Sequence, residues 1–172
     1  MSTATRVKMA KELFKNAAEK SSSYPKPDLK FTYGTAGFRL QSDLLPSVMY
    51  RMGLLAVLRS RARGSKTIGL MITASHNPVQ DNGVKLIDPL GEMLEADWEK
   101  YATELANTDD VEQCLSGLVE KVRTKEWNDV GNVAIARDTR PSGEHLTKAV
   151  SDGVEAFGGK FNDLGELIWN LS

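Results

Sequence analysis

The segment TASHNP, residues 73–78, offers a candidate nucleophile directly after a run of apolar residues. That run, residues 67–72, predicts a buried β-strand. Ligands of open α/β sheets bind beyond the carboxyl ends of the strands, so Ser75 would lie where a ligand binds. A serine hydroxyl needs a base or a positive field to attack. Adjacent side chains on an extended backbone point apart, so we expect His76 to contact a substrate rather than activate Ser75. In the alternative, Ser75 and Asn77 only satisfy the backbone of a turn.

Two other segments contain residues that suit anions. The segment GTAGFR, residues 34–39, has two glycines that would let the backbone approach an anion, and its Arg39 can bind two phosphate oxygens. The segment RDTRPSG, residues 137–143, is predicted to connect a strand to a helix whose N-terminus can hold an anion. Within it, the simpler interpretation of Asp138 is a structural acceptor that braces an arginine. His145, just beyond, is interpreted as a surface histidine.

Lys85 belongs to the segment DNGVK, residues 81–85, in which Asn82-Gly83 predicts a tight turn. That turn would fold the next strand back and bring Lys85 near Ser75. As a general base, Lys85 would have to lower its pKa from ~10.4 by roughly 3 units, which needs burial beside another cation. Two alternatives stay open, a charged Lys85 that binds phosphate and an ordinary solvated lysine.

Strands and helices alternate along the chain, which predicts an α/β fold with a layered mixed sheet flanked by helices. Ser47 is predicted to cap the second helix, whose apolar residues cover much of its circumference. We predict helices over residues 4–20, 46–63, 95–106, 111–122 and 146–157, and strands over residues 31–33, 67–73, 84–88, 132–136 and 161–164.

Composition narrows the classes of function. The 172 residues include 22 Lys and Arg against 23 Asp and Glu, and a net charge of −1 predicts no general attraction to nucleic acid or anionic membrane. Cys114 is the only cysteine, which rules out an internal disulfide and favours a reducing compartment. With one cysteine and two histidines, we expect no structural zinc site. No apolar leader or membrane-length apolar stretch is seen, so we expect a cytoplasmic protein.

Taken together, segments 34–39, 73–78, 81–85 and 137–143 resemble the first domain of the α-D-phosphohexomutases. With RMGLLAVLR at residues 51–59, they are most similar to the eukaryotic branch that acts on N-acetylglucosamine phosphate. The resemblance implies interconversion of the 6-phosphate and the 1-phosphate through a phosphoserine and a 1,6-bisphosphate, a step toward UDP-N-acetylglucosamine. A phosphoglucomutase or phosphomannomutase fragment, or a non-catalytic truncated product, is the alternative.

The resemblance also implies roles for individual residues. Ser75 would be the phosphoserine and, through its phosphate, one ligand of Mg²⁺. Arg39 and Lys85 would handle charge and the proton, and His76 would contact the transferring group. The positions expected to bind substrate or phosphate are Gly34, Thr35, Gly37, Asn77 and Arg140.

Members of that family have four domains, and the sequence matches only the first. It lacks the Asp-Gly-Asp-x-Asp-Arg metal loop of the second domain, the sugar-reading loop of the third and the phosphate loop of the fourth. We therefore expect a helix and linker over residues 1–30, the active-serine domain over 31–165, and a divergent truncated tail over 166–172. The remaining Mg²⁺ ligands, and the surfaces that cover this domain around a hexosamine phosphate, would come from the missing domains. Alone, the chain is expected to be inactive.

Overall fold

A computed structural model of the protein describes residues 2–122 and 130–167. Helices and strands alternate along these residues much as the sequence predicts. In chain order they are α1 (Thr3–Ser21), β1 (Phe38–Gln41), a 3-10 turn (Ser42–Leu44), α2 (Pro46–Ala62), β2 (Ile68–Ile72), β3 (Asp81–Ile87), α3 (Ala96–Asn107), α4 (Val111–Val122), β4 (Asn132–Arg137), α5 (Gly143–Ala156) and β5 (Lys160–Glu166).

The strands form one mixed sheet in the order β1-β3-β2-β4-β5. The pairs β1–β3 and β3–β2 are antiparallel, while β2–β4 and β4–β5 are parallel. This confirms the predicted α/β fold with a layered mixed sheet. The register sets Arg39 opposite Gly83 and Met71 opposite Lys85, and because side chains alternate along a strand, Arg39 and Lys85 share a face of the sheet.

Two helices, α2 and α5, contact the strands and also pack against each other, so they cover the same face. The apolar side chains of Ile68, Leu70 and Ile72 point to that face and are buried. The helices α1, α3 and α4 form an outer layer, in which α1 packs on α2 and α5, α3 packs on α2, and α4 packs on α1 and α3. Because α2 lies between the sheet and this layer, every residue from 47 to 61 is buried, which explains its apolar circumference.

The predicted strand over residues 31–33 is wrong. The N–H of Phe31 donates to Oδ1 of Asn107 at 2.7 Å, and the N–H of Tyr33 donates to Oγ1 of Thr103 at 3.1 Å. Both partners are side chains of α3, so this extended segment satisfies its backbone against a helix instead of a neighbouring strand.

The predicted cap at Ser47 is also wrong. Pro46 is the first helical residue of α2, Leu45 takes the cap position, and no side chain caps the helix. Proline suits the first turn because the N–H that it lacks would have no intrahelical acceptor there. Ser47 therefore lies inside the helix, where it is buried.

The predicted N-terminal helix is present as α1, and it packs against α2, α4 and α5. Ala10, Phe14 and Ala17 of α1 belong to the common core, and Nδ2 of Asn16 donates to the carbonyl oxygen of Ala156 at 2.8 Å. At the other end, β5 runs one residue past the predicted boundary at 165, and residues 168–172 of the predicted tail lie outside the described residues. Over residues 2–122 and 130–167, no helix is long and apolar enough to span a membrane.

Candidate functional site

The loop of residues 74–80, called the serine loop below, connects β2 to β3 and carries Ser75. At its base, the N–H of Thr73 donates to the carbonyl oxygen of Gly83 at 3.1 Å, which extends the β2–β3 ladder. The N–H of Asn77 donates to the carbonyl oxygen of Ala74 at 2.7 Å and closes a turn. Ser75 and His76 occupy the two central positions of this turn and are exposed. Ser75 is thus exposed to solvent at the carboxyl end of β2.

The turn predicted at Asn82-Gly83 is wrong, because both residues lie inside β3. Chain reversal occurs earlier, where the N–H of Asp81 donates to the carbonyl oxygen of Pro78 at 3.0 Å. Asn82 is fully buried, and its Nδ2 donates to Oγ of Ser142 at 2.8 Å. Its Oδ1 still accepts from the adjacent N–H of Gly83 at 2.9 Å, as in many turns. Its Nδ2 meanwhile bridges β3 to the start of α5.

Gly83 allows Arg39 to lie across the strand. A Cβ on Gly83 would lie 2.4 Å from the carbonyl oxygen of Phe38, and 2.9 Å from both Cγ of Arg39 and the carbonyl oxygen of Thr73. The Arg39 side chain therefore crosses Gly83 beside the base of the serine loop. Its Nε is buried and has no hydrogen-bond partner among the described residues.

Lys85 lies two residues beyond Gly83 on β3, on the same face as Arg39, and it is exposed. The sequence prediction that Lys85 lies on the strand next to the serine loop is consistent with this register, although the turn that was expected to bring it there is absent. Its exposure argues against the burial that a general base would need, and it is compatible both with a charged lysine that binds phosphate and with an ordinary solvated lysine.

Gly34 and Gly37 form a tight turn rather than an open anion cradle. The N–H of Gly34 donates to the carbonyl oxygen of Gly37 at 3.1 Å, and the N–H of Gly37 donates to that of Gly34 at 2.9 Å. Gly37 has φ of 76°, and a Cβ there would lie 2.1 Å from the carbonyl oxygen of Val84. Both N–H groups are thus occupied, which leaves the exposed Thr35 as the residue of this turn that can reach a ligand.

Tyr33 fixes this turn to the sheet. The N–H of Leu86 donates to the Tyr33 hydroxyl oxygen at 3.0 Å, and the ring packs edge-on against Phe38, 5.2 Å away between centroids. Burial raises the pKa of Tyr33 to about 12, against a smaller opposing effect of the Leu86 hydrogen bond. The phenol is therefore neutral at physiological pH and serves as an anchor.

Arg140 was predicted to bind phosphate, but its guanidinium is directed at the serine loop. Its Nη1 donates to the carbonyl oxygens of Pro78 and Asp81, and its Nη2 donates to those of Ala74 and Asn77. Its Nε donates to Asp138. With these donors engaged, Arg140 has no N–H left for a substrate phosphate.

Asp138 holds this arginine, as the sequence suggested. Its Oδ2 accepts from the Thr73 hydroxyl at 2.8 Å and from Nε of Arg140 at 3.2 Å, and its Oδ1 accepts from the N–H of Arg140 at 3.0 Å. Sequence reasoning missed Asn82 as a second connection between these segments. The available signal was a polar residue next to an aliphatic run, which was interpreted as a turn.

The other polar side chains near the serine loop are engaged in hydrogen bonds and leave few free oxygen ligands for a metal ion. Nδ2 of Asn77 donates to Oδ2 of Asp81 at 3.1 Å, and Asp138 is engaged as described. Within residues 2–122 and 130–167, no group of three or more His, Cys, Asp or Glu side chains could hold a metal ion. The side chains that the structure describes therefore do not by themselves make up a magnesium site.

A family model described as phosphoglucomutase/phosphomannomutase, alpha/beta/alpha domain I, matches residues 57–110. This stretch includes β2, the serine loop and β3. Ser75, His76, Asn77 and Lys85 fall inside the match, whereas Arg39 and Arg140 lie outside it.

Among curated proteins, the chain is 55% identical over 150 residues to phosphoacetylglucosamine mutase of Sus scrofa and 53% identical over 150 residues to that of Homo sapiens. Each match covers 86% of this chain and 27% of the relative. The chain thus spans little more than a quarter of the length of these relatives.

Solved structures give the same result. A serine-to-alanine variant of Aspergillus fumigatus N-acetylphosphoglucosamine mutase in complex with glucose 1,6-bisphosphate superposes with a TM-score of 0.87 at 44% identity, covering 91% of this chain and 29% of that one. The Aspergillus fumigatus enzyme in complex with GlcNAc-6P and magnesium gives 0.84 at 46% identity, covering 90% and 28%. The chain therefore belongs to the α-D-phosphohexomutase family, and it corresponds there to the N-terminal part of the phosphoacetylglucosamine mutases.

Proposed function

We propose that this chain is the phosphoserine domain of an enzyme that interconverts N-acetylglucosamine 6-phosphate and N-acetylglucosamine 1-phosphate. The observation that carries the proposal is the exposed Ser75 hydroxyl on a braced loop, with Arg39 and Lys85 on adjacent strands of the same sheet face. The high identity to phosphoacetylglucosamine mutases supports this substrate class.

In the proposed reaction, phosphorylated Ser75 transfers its phosphoryl group to the free hydroxyl of the sugar phosphate and returns to serine. The product is a 1,6-bisphosphate, which gives its other phosphate back to Ser75 after it has reoriented. Phosphoryl transfer depends mainly on positioning and on neutralising the phosphoryl oxygens. A phosphoserine carries about −1.5 to −2 charges at neutral pH, and Arg39 and Lys85 would offset that charge. The exposed His76 would contact the transferring group.

Magnesium enters this proposal through a relative, which is described in complex with GlcNAc-6P and magnesium. A phosphate on Ser75 would supply one oxygen ligand, but Mg²⁺ favours an octahedron of oxygen ligands. Because Asp81 and Asp138 are already hydrogen-bonded to Asn77 and Arg140, the other protein ligands would come from outside this chain. With excess Mg²⁺ supplied by the buffer, one slow phosphoryl transfer to Ser75 needs only the site described, whereas repeated turnover would need those further ligands. We therefore propose that this chain does not turn over substrate alone.

The test is phosphate transfer to the purified chain from radiolabelled glucose 1,6-bisphosphate in Mg²⁺ buffer, with the modified residue located by mass spectrometry. We expect label on Ser75, no label in Ser75→Ala, and normal labelling in a Ser22→Ala control at an exposed serine of the α1 C-terminus. Equal labelling of Ser75→Ala, or an unlabelled wild-type chain, would overturn the proposal.

A second assay, with N-acetylglucosamine 6-phosphate as substrate and catalytic bisphosphate, addresses turnover. We expect no 1-phosphate from the chain alone, and turnover that disappears in Ser75→Ala would contradict that expectation. The matching family model covers phosphoglucomutases and phosphomannomutases, so glucose and mannose 6-phosphates are the comparison substrates. A truncated, non-catalytic product would show neither labelling nor turnover.

A further inference from the structure

All the N–H groups of the Arg140 guanidinium are directed at one loop and its support. Nη1 donates to the carbonyl oxygens of Pro78 at 2.6 Å and Asp81 at 3.1 Å, and Nη2 donates to those of Ala74 at 2.5 Å and Asn77 at 3.0 Å. The fifth N–H, on Nε, meets Oδ2 of Asp138 at 3.2 Å. A planar guanidinium has five donors in a fixed fork, so this site uses its full capacity.

The four carbonyl groups determine which way the serine loop presents its amides. The C=O and N–H of a trans peptide point in opposite directions, and the described residues contain no cis peptide bond. With the carbonyl of Ala74 turned toward Arg140, the N–H of Ser75 points away from it. The N–H of Val79 does the same, because the Pro78 carbonyl also faces Arg140. The loop therefore directs amide donors to the side opposite the arginine.

The backbone segment that carries Arg140 is also held in place by strand pairing and hydrogen bonds. Arg140 follows β4, whose last residue pairs in parallel with Ile72 at the end of β2. Asp138 accepts from both Arg140 and the Thr73 hydroxyl, and its own N–H donates to the carbonyl oxygen of Ile72 at 3.1 Å. The side chain of Arg140 is only 11% exposed. Two neighbouring parallel strands thus hold the arginine in place under the loop.

We propose that Arg140 is a positioning residue that sets the conformation of the serine loop, so that the Ser75 hydroxyl and the Ser75 N–H face the same incoming anion. Arg140 acts through the backbone of the loop and does not touch the substrate. Without the guanidinium, four carbonyl dipoles would converge on one point with no cation between them. The consequence for phosphoryl transfer rests on the proposed function, but the ordering of the loop does not.

The test compares Arg140→Lys with Arg137→Lys in the full chain by residue-resolved amide hydrogen exchange. Arg137 is the matched control, since it lies at the end of β4 and pairs with Asp163. The amides of Asn77 and Asp81 are protected by bonds inside the loop turns, while those of Thr73 and Asp138 are protected by strand carbonyls. In Arg140→Lys, we expect exchange of the first two amides to become about tenfold faster, with the second two unchanged.

We expect Arg137→Lys to leave exchange of the Asn77 and Asp81 amides as in the wild type. In Arg140→Ala, millimolar guanidinium ion should restore protection of these two amides, whereas methylammonium should not. Equal acceleration of all four amides would reveal a general loss of stability and overturn the proposal, and so would no change.

The experiment uses no sugar phosphate, so it separates this proposal from the previous one. Unchanged exchange together with labelling of Ser75 would overturn the positioning role and leave the proposed function standing. Faster exchange of the Asn77 and Asp81 amides alone, together with an unlabelled Ser75, would support the positioning role and overturn the proposed function.

Discussion

Gly53 of α2 and Gly153 of α5 bring the backbones of the two helices into direct contact. A Cβ on Gly153 would lie 2.0 Å from the carbonyl oxygen of Tyr50, and one on Gly53 would lie 2.3 Å from that of Val150. Such distances do not occur without movement of the backbone. Because α2 and α5 are the helices that cover the sheet, their separation would disturb the surface on which β2 and β4 rest.

We therefore expect Gly53→Ala and Gly153→Ala each to lower the free energy of unfolding by about 1–3 kcal/mol. Gly117, in the middle of α4, is the matched control, because a methyl group added there would have nothing within 4 Å of it. Gly117→Ala should raise the free energy of unfolding by about 0.4–1 kcal/mol, since alanine restricts the unfolded chain and favours the helix. Urea unfolding followed by circular dichroism measures all three, and equal effects at the three sites would contradict the contact.

Two buried serines of α2 should respond in opposite ways to replacement by alanine. Ser47 is 1% exposed, and its Oγ has no hydrogen-bond partner among the described residues. The Oγ of Ser60 donates to the carbonyl oxygen of Lys66 at 2.7 Å and accepts from the N–H of Asn132 at 2.9 Å. We expect Ser47→Ala to raise the free energy of unfolding by about 0.5 kcal/mol, and Ser60→Ala to lower it by about 1–2 kcal/mol. Chemical denaturation measures the free energy of unfolding of both variants. A loss of stability in Ser47→Ala would indicate that the Ser47 hydroxyl has a partner, and it would contradict this prediction.

A buried ion pair holds the end of β3 to α2. Nε and Nη2 of Arg59 donate to the two oxygens of Asp88 at 2.9 and 2.5 Å, and the guanidinium lies over the ring of Trp98, 4.7 Å from its centroid. Nη2 of Arg59 also donates to the more exposed Glu95 at 3.0 Å. Because Arg59 would keep only this partner, Asp88→Asn should lower the free energy of unfolding by about 2–3 kcal/mol. The control is Asp97→Asn, which removes an exposed pair with Lys100 and should change it by less than about 0.5 kcal/mol. A thermal unfolding series that ranks the two variants equally would refute this role of Asp88.

The buried phenol of Tyr33 predicts a loss of stability in strong alkali. Burial raises its pKa from 10.0 to about 12, so the folded state resists ionisation more than the unfolded state does. Its contribution is complete below pH 10 and disappears as the pH rises through 12. We expect the urea midpoint to fall across this window, and to fall less steeply in Tyr33→Phe, which lacks the titrating group.

For Tyr33→Phe, the stability at neutral pH reports the lost hydrogen bond, whereas the slope of the urea midpoint against pH reports the lost titrating group. At neutral pH, Tyr33→Phe should already be less stable by about 1 kcal/mol, because the N–H of Leu86 loses its acceptor. Tyr24, whose pKa burial and the hydrogen bond to Asp152 also raise to about 12, should give a similar reduction in slope as Tyr24→Phe. If both variants keep the wild-type slope between pH 10 and 12, other groups control the alkaline transition.

Local patterns predicted most of the elements well. The helix predicted over residues 111–122 coincides with α4 at Val111–Val122, and the strand predicted over residues 161–164 lies within two residues of β5 at each end. The same reasoning failed at residues 31–33, whose backbone is satisfied by Thr103 and Asn107 of α3. It failed there because a strand differs from an extended segment only by the partner of its N–H groups, and that partner is remote in the sequence.

By itself, the sequence determined the α/β order of the elements, the exposed Ser75 after β2 and the family resemblance, since each depends on neighbouring residues. Only the tertiary structure decided that Asn82 and Gly83 lie in a strand and that Arg140 braces the serine loop. Arg140 and Ala74 are 66 residues apart, and no local preference of arginine tells a substrate phosphate from a ring of carbonyl oxygens. Phosphate oxygens and carbonyl oxygens both accept hydrogen bonds from a guanidinium. Arg140 binds the carbonyl oxygens because the parallel pairing of β2 and β4 brings them within its reach.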